Sequence, residues 1–231
     1  MKLGIIGAMS IEVDLLKSYM TDSSVSVYAG MEFCQGTIDG VPCVVVQCGV
    51  GKVNAALCVQ ILCDCFHVTN IVNTGVAGSL CASLDIGDLV ISEDAVYHDF
   101  DCSTLGYSIG QVPGLDTLAF PADTAMIAHA KVAAELVQPN HFRVGRVASG
   151  DQFVSAKEAK DKIIAETNSI CTEMEGAAIA HAAWRNQVPF VIIRAISDKA
   201  DDSAQMDYPT FEEMAAKNSS NMIRAFVNQM K

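Results

Sequence analysis

The sequence predicts an α/β protein, a three-layer αβα sandwich around a mixed, mostly parallel central sheet. Three observations carry this. Apolar runs rich in β-branched residues alternate with helical patterns along most of the chain, as they do when helices cover both faces of a parallel sheet. Asp39-Gly40 stands between two alternating runs, a hairpin signal that puts antiparallel members near the sheet edge. At 231 residues and 51% hydrophobic, the chain suits one sizeable domain spanning 1–231 better than two small ones.

The expected strands are "KLGIIGA", "PCVVVQCG", "TNIVNTG", "GDLVISEDAV", "FRVGRVASG", "SICTEM" and "PFVIIRAIS". Each is a bounded apolar run, and such runs without alternation are what strands buried on both faces require. Helical periodicity falls near 11 to 20, 52 to 66, 123 to 137, 156 to 166, 175 to 186 and 209 to 230, with Ser10 as the expected cap of the first helix. The segment 99–122 is the longest without periodicity, and a loop of that length in a compact domain is functional or covered by a partner. There is no internal repeat, low-complexity tract or linker.

A formal charge of -12 argues against a nucleic-acid polymer or an anionic membrane as partner, because both need clustered Lys and Arg. A small neutral or zwitterionic ligand fits better. Most of the nine cysteines lie inside apolar runs, such as Cys43, Cys48 and Cys171, and read as reduced core residues. Neither "CDC" at 63–65 nor the five His residues show ligand spacing, so no metal site is expected. The opening "MKLGIIGAM" is too short for a signal sequence and runs into Glu12 and Asp14; no apolar run approaches the ~20 residues of a membrane span. The cytoplasm is the expected location.

The chemistry-bearing residues cluster where strands end. In "VPFVIIRAISDKA" (188–200) a buried run breaks off into Arg194, Ser197 and Asp198, and open parallel sheets bind ligands just beyond such carboxyl ends. "GAM" precedes Glu12, "NTGVAG" follows the third run, "ASGDQFV" the fifth and "TEMEGAA" the sixth. Small residues there let a ligand approach the backbone. Taken singly, each has a plainer reading: Asp198 pairs with Lys199, Glu12 complements a helix dipole, and "GVAG" is an ordinary turn that does not match a dinucleotide fingerprint.

Taken together, "GIIGAMSIEV", "GVGKVNAA", "NTGVAG", "VYHDFD", "GYSIGQVPG", "SGDQFV", "EMEGAAIA" and "VPFVIIRAISDKA" resemble, in order and over nearly the whole chain, the 5'-methylthioadenosine/S-adenosylhomocysteine nucleosidases of the purine nucleoside phosphorylase superfamily. The resemblance implies a nucleoside phosphorylase/hydrolase-like sandwich that hydrolyses the N-ribosidic bond of methylthioadenosine and S-adenosylhomocysteine, and of 5'-deoxyadenosine, without a cofactor, in methionine salvage. It implies three catalytic groups: Asp198 as general acid to adenine N7, Glu12 as base to the attacking water, and Glu175 on the ribose hydroxyls beside the cationic sugar. It further implies that Phe153 stacks on adenine, that the backbone of Val154 reads its edge, and that Met174 and Met9 pack against the nucleoside. Glu173 becomes a second ribose contact, and Arg194 and Ser197 support the water and the acid. Gly78, Val76 and Tyr208 line the same pocket. In the family the neighbouring subunit of a homodimer completes the 5' pocket, and Tyr107 and Pro113 match that loop.

The chain departs from the family pattern at Val76, where NTGSAG is usual, at Tyr208, where Phe is common, and in "MEGAA" for MEATA. Two rival functions stand beside the hydrolase. A phosphorylase on this scaffold needs cationic or backbone donors around phosphate, and none of the five Arg (143, 146, 185, 194, 224) lies in the early loop where Glu12 sits. A noncatalytic nucleoside sensor needs no acids at 12 and 198, since fold alone does not fix function.

Overall fold

The computed structural model describes residues 1–201 and 203–231, without the side chains of Gln205 and Met206. Strand β1 (Leu3–Gly7) is buried throughout and pairs in parallel with β4 (Val41–Gln47) on one side and β5 (Asn70–Ser79) on the other. Next to β5 lies β10 (Phe190–Asp198), also parallel and buried along its length. These are the unalternating runs of the sequence, and full cover on both faces is why they do not alternate.

Beyond β10 the sheet closes on itself. β10 pairs with β6 (Leu89–Tyr97), β6 with β8 (Phe142–Ser149), β8 with β9 (Cys171–Glu173), and β9 returns to β5. The carboxyl ends of β5, β9 and β10 are thereby drawn together. On the open side β4, β3 (Met31–Ile38) and β2 (Met20–Tyr28) form an antiparallel arm. Ile38 pairs with Val41 across Asp39 (φ 49°) and Gly40 (φ 86°), the two positive φ values that a tight hairpin turn demands.

Helices cover both faces, as expected. One core cluster joins the sheet to α2 (Lys52–Phe66) and α5 (Gly176–Arg185). The other joins it to α1 (Ser10–Ser18), α3 (Thr124–Val137) and α6 (Ala204–Gln229). Helix α4 (Lys157–Thr167) adds Ile163 to a small satellite core. Among the described residues no helix is long and apolar enough to cross a membrane. The cysteines are thiols, and Cys34, Cys43, Cys48, Cys58 and Cys171 are buried.

Four sequence readings need correction. The cap of α1 is Met9, in extended conformation, not Ser10; Glu12 reaches back to the Met9 N–H and fills the capping role from inside the helix. Strand β2, "MTDSSVSVY", is almost wholly exposed and carries no apolar signal. Helix α6 begins five residues before the expected 209, because Pro209 lies in its second turn rather than at its start. The segment 99–122 contains a short 3-10 turn, Ser103–Leu105, and a two-residue strand, β7 (Phe120–Pro121), paired with β6.

Candidate active site

The first turn of α1 places Glu12 directly beyond the end of β1. Its side chain is 1% exposed, and its carboxylate accepts the N–H groups of Ala8 (2.7 Å) and Met9 (3.0 Å) on Oε2 and of Val76 (3.1 Å) on Oε1. Burial pushes the Glu12 carboxyl above its ordinary range, against the pull of Arg194 and these backbone donors. Oε1 carries one hydrogen bond and keeps a lone pair for a further donor such as water. Val76 serves Glu12 through its N–H alone, so the valine side chain leaves this contact intact.

Arg194, from the middle of β10, is the hub of the site. Its guanidinium is buried, donates to Asn73 Oδ1 (2.6 Å) and Glu173, and faces Glu175 Oε2 at 3.5 Å and Glu12 Oε1 at 3.9 Å. Three carboxylates thus surround one cation. Glu175 lies just before α5 and accepts the Gly51 N–H at 2.8 Å. Burial, and then the adjacent Glu173, push its carboxyl up to about 7.

Glu173, expected on the ribose hydroxyls, is already occupied although it borders the cavity. It accepts the Ser149 hydroxyl, Arg194, the Glu175 N–H (3.1 Å) and the Gly176 N–H (2.8 Å). It caps the start of α5 and holds Arg194, whereas Glu175 accepts a single hydrogen bond, from the Gly51 N–H.

Asp198 ends β10 and lines the same cavity. Its carboxylate accepts the Ala200 N–H on Oδ1 and the Ser197 hydroxyl on Oδ2, each at 2.8 Å. Burial raises its pKa against these two hydrogen bonds, with Asp207 and Asp201 adding to the rise. Gly78 is small for a reason here, since a Cβ at that position would come within 2.8 Å of Asp198 Oδ1.

A cavity of about 120 Å³ joins these groups, lined by Met9, Glu12, Val76, Gly78, Phe153, Glu173, Met174, Glu175, Arg194, Ser197, Asp198 and Tyr208. A recess of about 40 Å³ continues past Asp198 and Met174 to Gln152 and Val154. Phe153 is 46% exposed at the mouth and meets the Tyr208 ring edge-on, centroids 5.4 Å apart. The Tyr208 hydroxyl donates to Glu212 (2.7 Å) and lies 3.5 Å from Met9 Sδ. Tyr107 and Pro113 do not line this cavity. A wider depression of about 710 Å³ between Pro121–Thr124 and Trp184–Phe190 is separate and holds none of the predicted residues.

Sequence reasoning missed Ala8, Val50, Ala77 and Thr172, which also line the cavity. All four lie inside motifs already quoted, and were passed over because a small or apolar side chain carries no chemistry of its own. Gly75 was missed as well. It has φ +150°, and a Cβ there would sit 2.2 Å from Arg194 Nη1 and 2.3 Å from Glu12 Oε1. Gly75→Ala is therefore expected to cost about 2–5 kcal/mol from strain and overpacking and to remove measurable turnover. A chemical-denaturation midpoint equal to the parent's would refute this.

A curled mixed sheet that gathers carboxylates at its strand ends around a small cavity defines a class. The chain belongs to the phosphorylase superfamily, whose family model matches residues 2–228. A 5'-methylthioadenosine/S-adenosylhomocysteine nucleosidase of Geobacillus kaustophilus is 41% identical over all of this chain and 98% of its own. The crystal structure of such a nucleosidase from Colwellia psychrerythraea in complex with adenine superposes with a TM-score of 0.94 at 41% identity, covering 100% of this chain and 96% of that one. One from S. pneumoniae, with a transition-state inhibitor, gives 0.95 at 34% identity and covers both chains fully. Within the superfamily, the chain is a member of the 5'-methylthioadenosine/S-adenosylhomocysteine nucleosidase family.

Proposed function

We propose that the protein hydrolyses the N-ribosidic bond of 5'-methylthioadenosine and S-adenosylhomocysteine, and of 5'-deoxyadenosine, releasing adenine and the 5-substituted ribose. One observation carries the reading: three buried carboxyl groups line a single cavity in two separate settings, Glu12 and Glu175 beside Arg194, and Asp198 held by Ser197 and the Ala200 N–H.

The division suits the bond to be broken. As the C1'–N9 bond lengthens, its electron pair moves onto the purine, and the proton of Asp198 is delivered to N7 so that neutral adenine departs. Burial favours the protonated form of Asp198 that this step requires. Phe153 offers a ring face to the base, and the backbone of Val154 offers it an edge. Positive charge grows on the sugar beside Glu175, which holds the hydroxyls and stabilises the cation. Water held at Glu12 Oε1 attacks C1' and gives its proton to Glu12, whose raised pKa makes it a stronger base. The proton then returns to Asp198 through solvent. Ser197 orients Asp198; Arg194 and Glu173 orient Glu12 and Glu175. Met9, Met174, Val76, Gly78 and Tyr208 shape the walls.

We further propose one domain over 1–231, a cytoplasmic location, a role in methionine salvage, and a homodimer in which Tyr107 and Pro113 complete the partner's 5' pocket. The small-molecule partner is the nucleoside, with neither nucleic acid nor membrane involved.

The test is adenine release from methylthioadenosine with and without phosphate. Equal rates are expected, because Glu12 repels phosphate and Arg194 is held by Glu173 and Asn73. A phosphate requirement would make the protein a phosphorylase, and no adenine in either case would make it a binding protein.

A further inference from the structure

Helix α2 starts at a residue that cannot cap it. Gly51 has no side chain, adopts φ +97°, and has Asp151 Oδ1 3.1 Å from where its Cβ would stand. Asp151 supplies the missing cap from 99 residues away, its Oδ1 accepting the Lys52 N–H at 2.9 Å. The same aspartate is tied in twice more. Its N–H donates to Asp99 Oδ2 (2.9 Å), and its own Oδ2 lies 3.7 Å from Lys52 Nζ. Lys52 Nζ closes the circuit on Asp99 Oδ2 at 2.6 Å and lies 5.5 Å from the centre of the Tyr97 ring.

An exposed ion pair is worth little by itself. This one differs because it fixes backbone as well as side chains, and because the preceding N–H in the chain, that of Gly51, donates to Glu175 Oε1. The charged and titratable groups around Glu175 are Glu173 from β9, Arg194 from β10, Glu12 from α1 and the Cys48 thiol after β4. Two of these are anions that oppose ionisation. The Gly51 N–H is a neutral donor that favours it, and its aim depends on the loop.

We propose that Lys52, Asp99 and Asp151 are positioning residues for Glu175. They hold the Gly51 N–H on Oε1 and so keep the carboxylate ionised and pointed into the cavity. None of the three touches the cavity. The importance of this for turnover rests on the role given to Glu175 above.

The experiment is a ¹³C titration of glutamate carboxyl carbons in the full chain, with the Glu175 signal assigned by its loss in Glu175→Gln. Lys52→Met and Asp151→Ala are each expected to raise the Glu175 pKa by about 0.3–1 unit. The acidic limb of kcat/KM should move upward by the same amount. With the parent carboxyl pushed up to about 7, that is a loss of roughly 1.5- to 5-fold at pH 7, nearing two- to tenfold at lower pH and recovered as the pH rises, and Lys52→Arg should restore part of it. Asp99→Asn, which preserves side-chain shape, provides a third variant should either of the others fold poorly. An unmoved Glu175 titration, or an equal loss at every pH, overturns the proposal. If the titration moves while the rate profile does not, the positioning role stands and the catalytic role of Glu175 fails.

Discussion

Arg194→Met is expected to lose about 3–5 kcal/mol of stability, the cost of leaving buried charge without its partner. In a chain of this size that is a fall in Tm of roughly 6–20 °C. The reason is the count of charges around one guanidinium, with Glu12, Glu173 and Glu175 all facing it in a buried site. Burial alone pulls the Arg194 pKa down, and the three carboxylates more than reverse that. Methionine fills similar space but leaves the carboxylates to repel one another. The folded pKa values of Glu12 and Glu175, already raised, then rise further above the ordinary glutamate range. A group whose pKa is raised on folding contributes stability at low pH and loses it as pH climbs through the folded value. Burial and Glu173 already push Glu175 up to about 7, so its share of the difference between variant and parent should be small below about pH 6 and widen as the pH rises through 7 toward 9. Thermal unfolding across that range is the measurement. A loss that stayed the same at every pH would assign it to packing rather than charge.

The same cluster shows what the sequence could disclose. Strands whose both faces are covered, such as β1 and β10, announce themselves as unbroken apolar runs, and the hairpin at Asp39-Gly40 follows from the φ values that its turn requires. Strand β2 had no such signal because it is held by backbone pairing to β3 with its side chains in water. Pro209 misled for a local reason: it suits the first turn of a helix, yet α6 had already begun. Among the site residues, Glu12, Glu175 and Asp198 were legible as acids at strand ends and through family resemblance. The division of labour between Glu173 and Glu175 was not. Two glutamates two positions apart look alike in sequence, and only the placement of Ser149, Arg194 and the start of α5 shows that Glu173 is saturated with donors while Glu175 accepts one. The closing of the sheet from β9 back to β5 was hidden for a related reason, since pairing between distant segments leaves no mark on local periodicity.

Asp198→Asn separates proton transfer from everything else the site does. Asparagine keeps the size of the side chain and an oxygen to accept the Ala200 N–H, and its amide can still donate a hydrogen bond toward the purine. It cannot give up a proton. If delivery to N7 assists base departure, kcat should fall by about 10²–10⁴, or roughly 3–5 kcal/mol of barrier, while KM changes little. The pH profile gives an independent readout. Loss of the Asp198 proton should produce the alkaline limb of the parent enzyme, and that limb should vanish from the residual activity of the variant. Stability should move the other way. The Asp198 pKa is raised on folding, so its ionised form opposes the folded state once the pH exceeds the folded value, and below its unfolded value the cost is gone. The variant should therefore be at least as stable as the parent at neutral pH, with any gain disappearing in acid. Loss of activity together with a lower Tm at pH 7 would point to a structural role for this carboxyl. Near-normal turnover with the alkaline limb intact would remove Asp198 from the reaction and leave base departure without its acid.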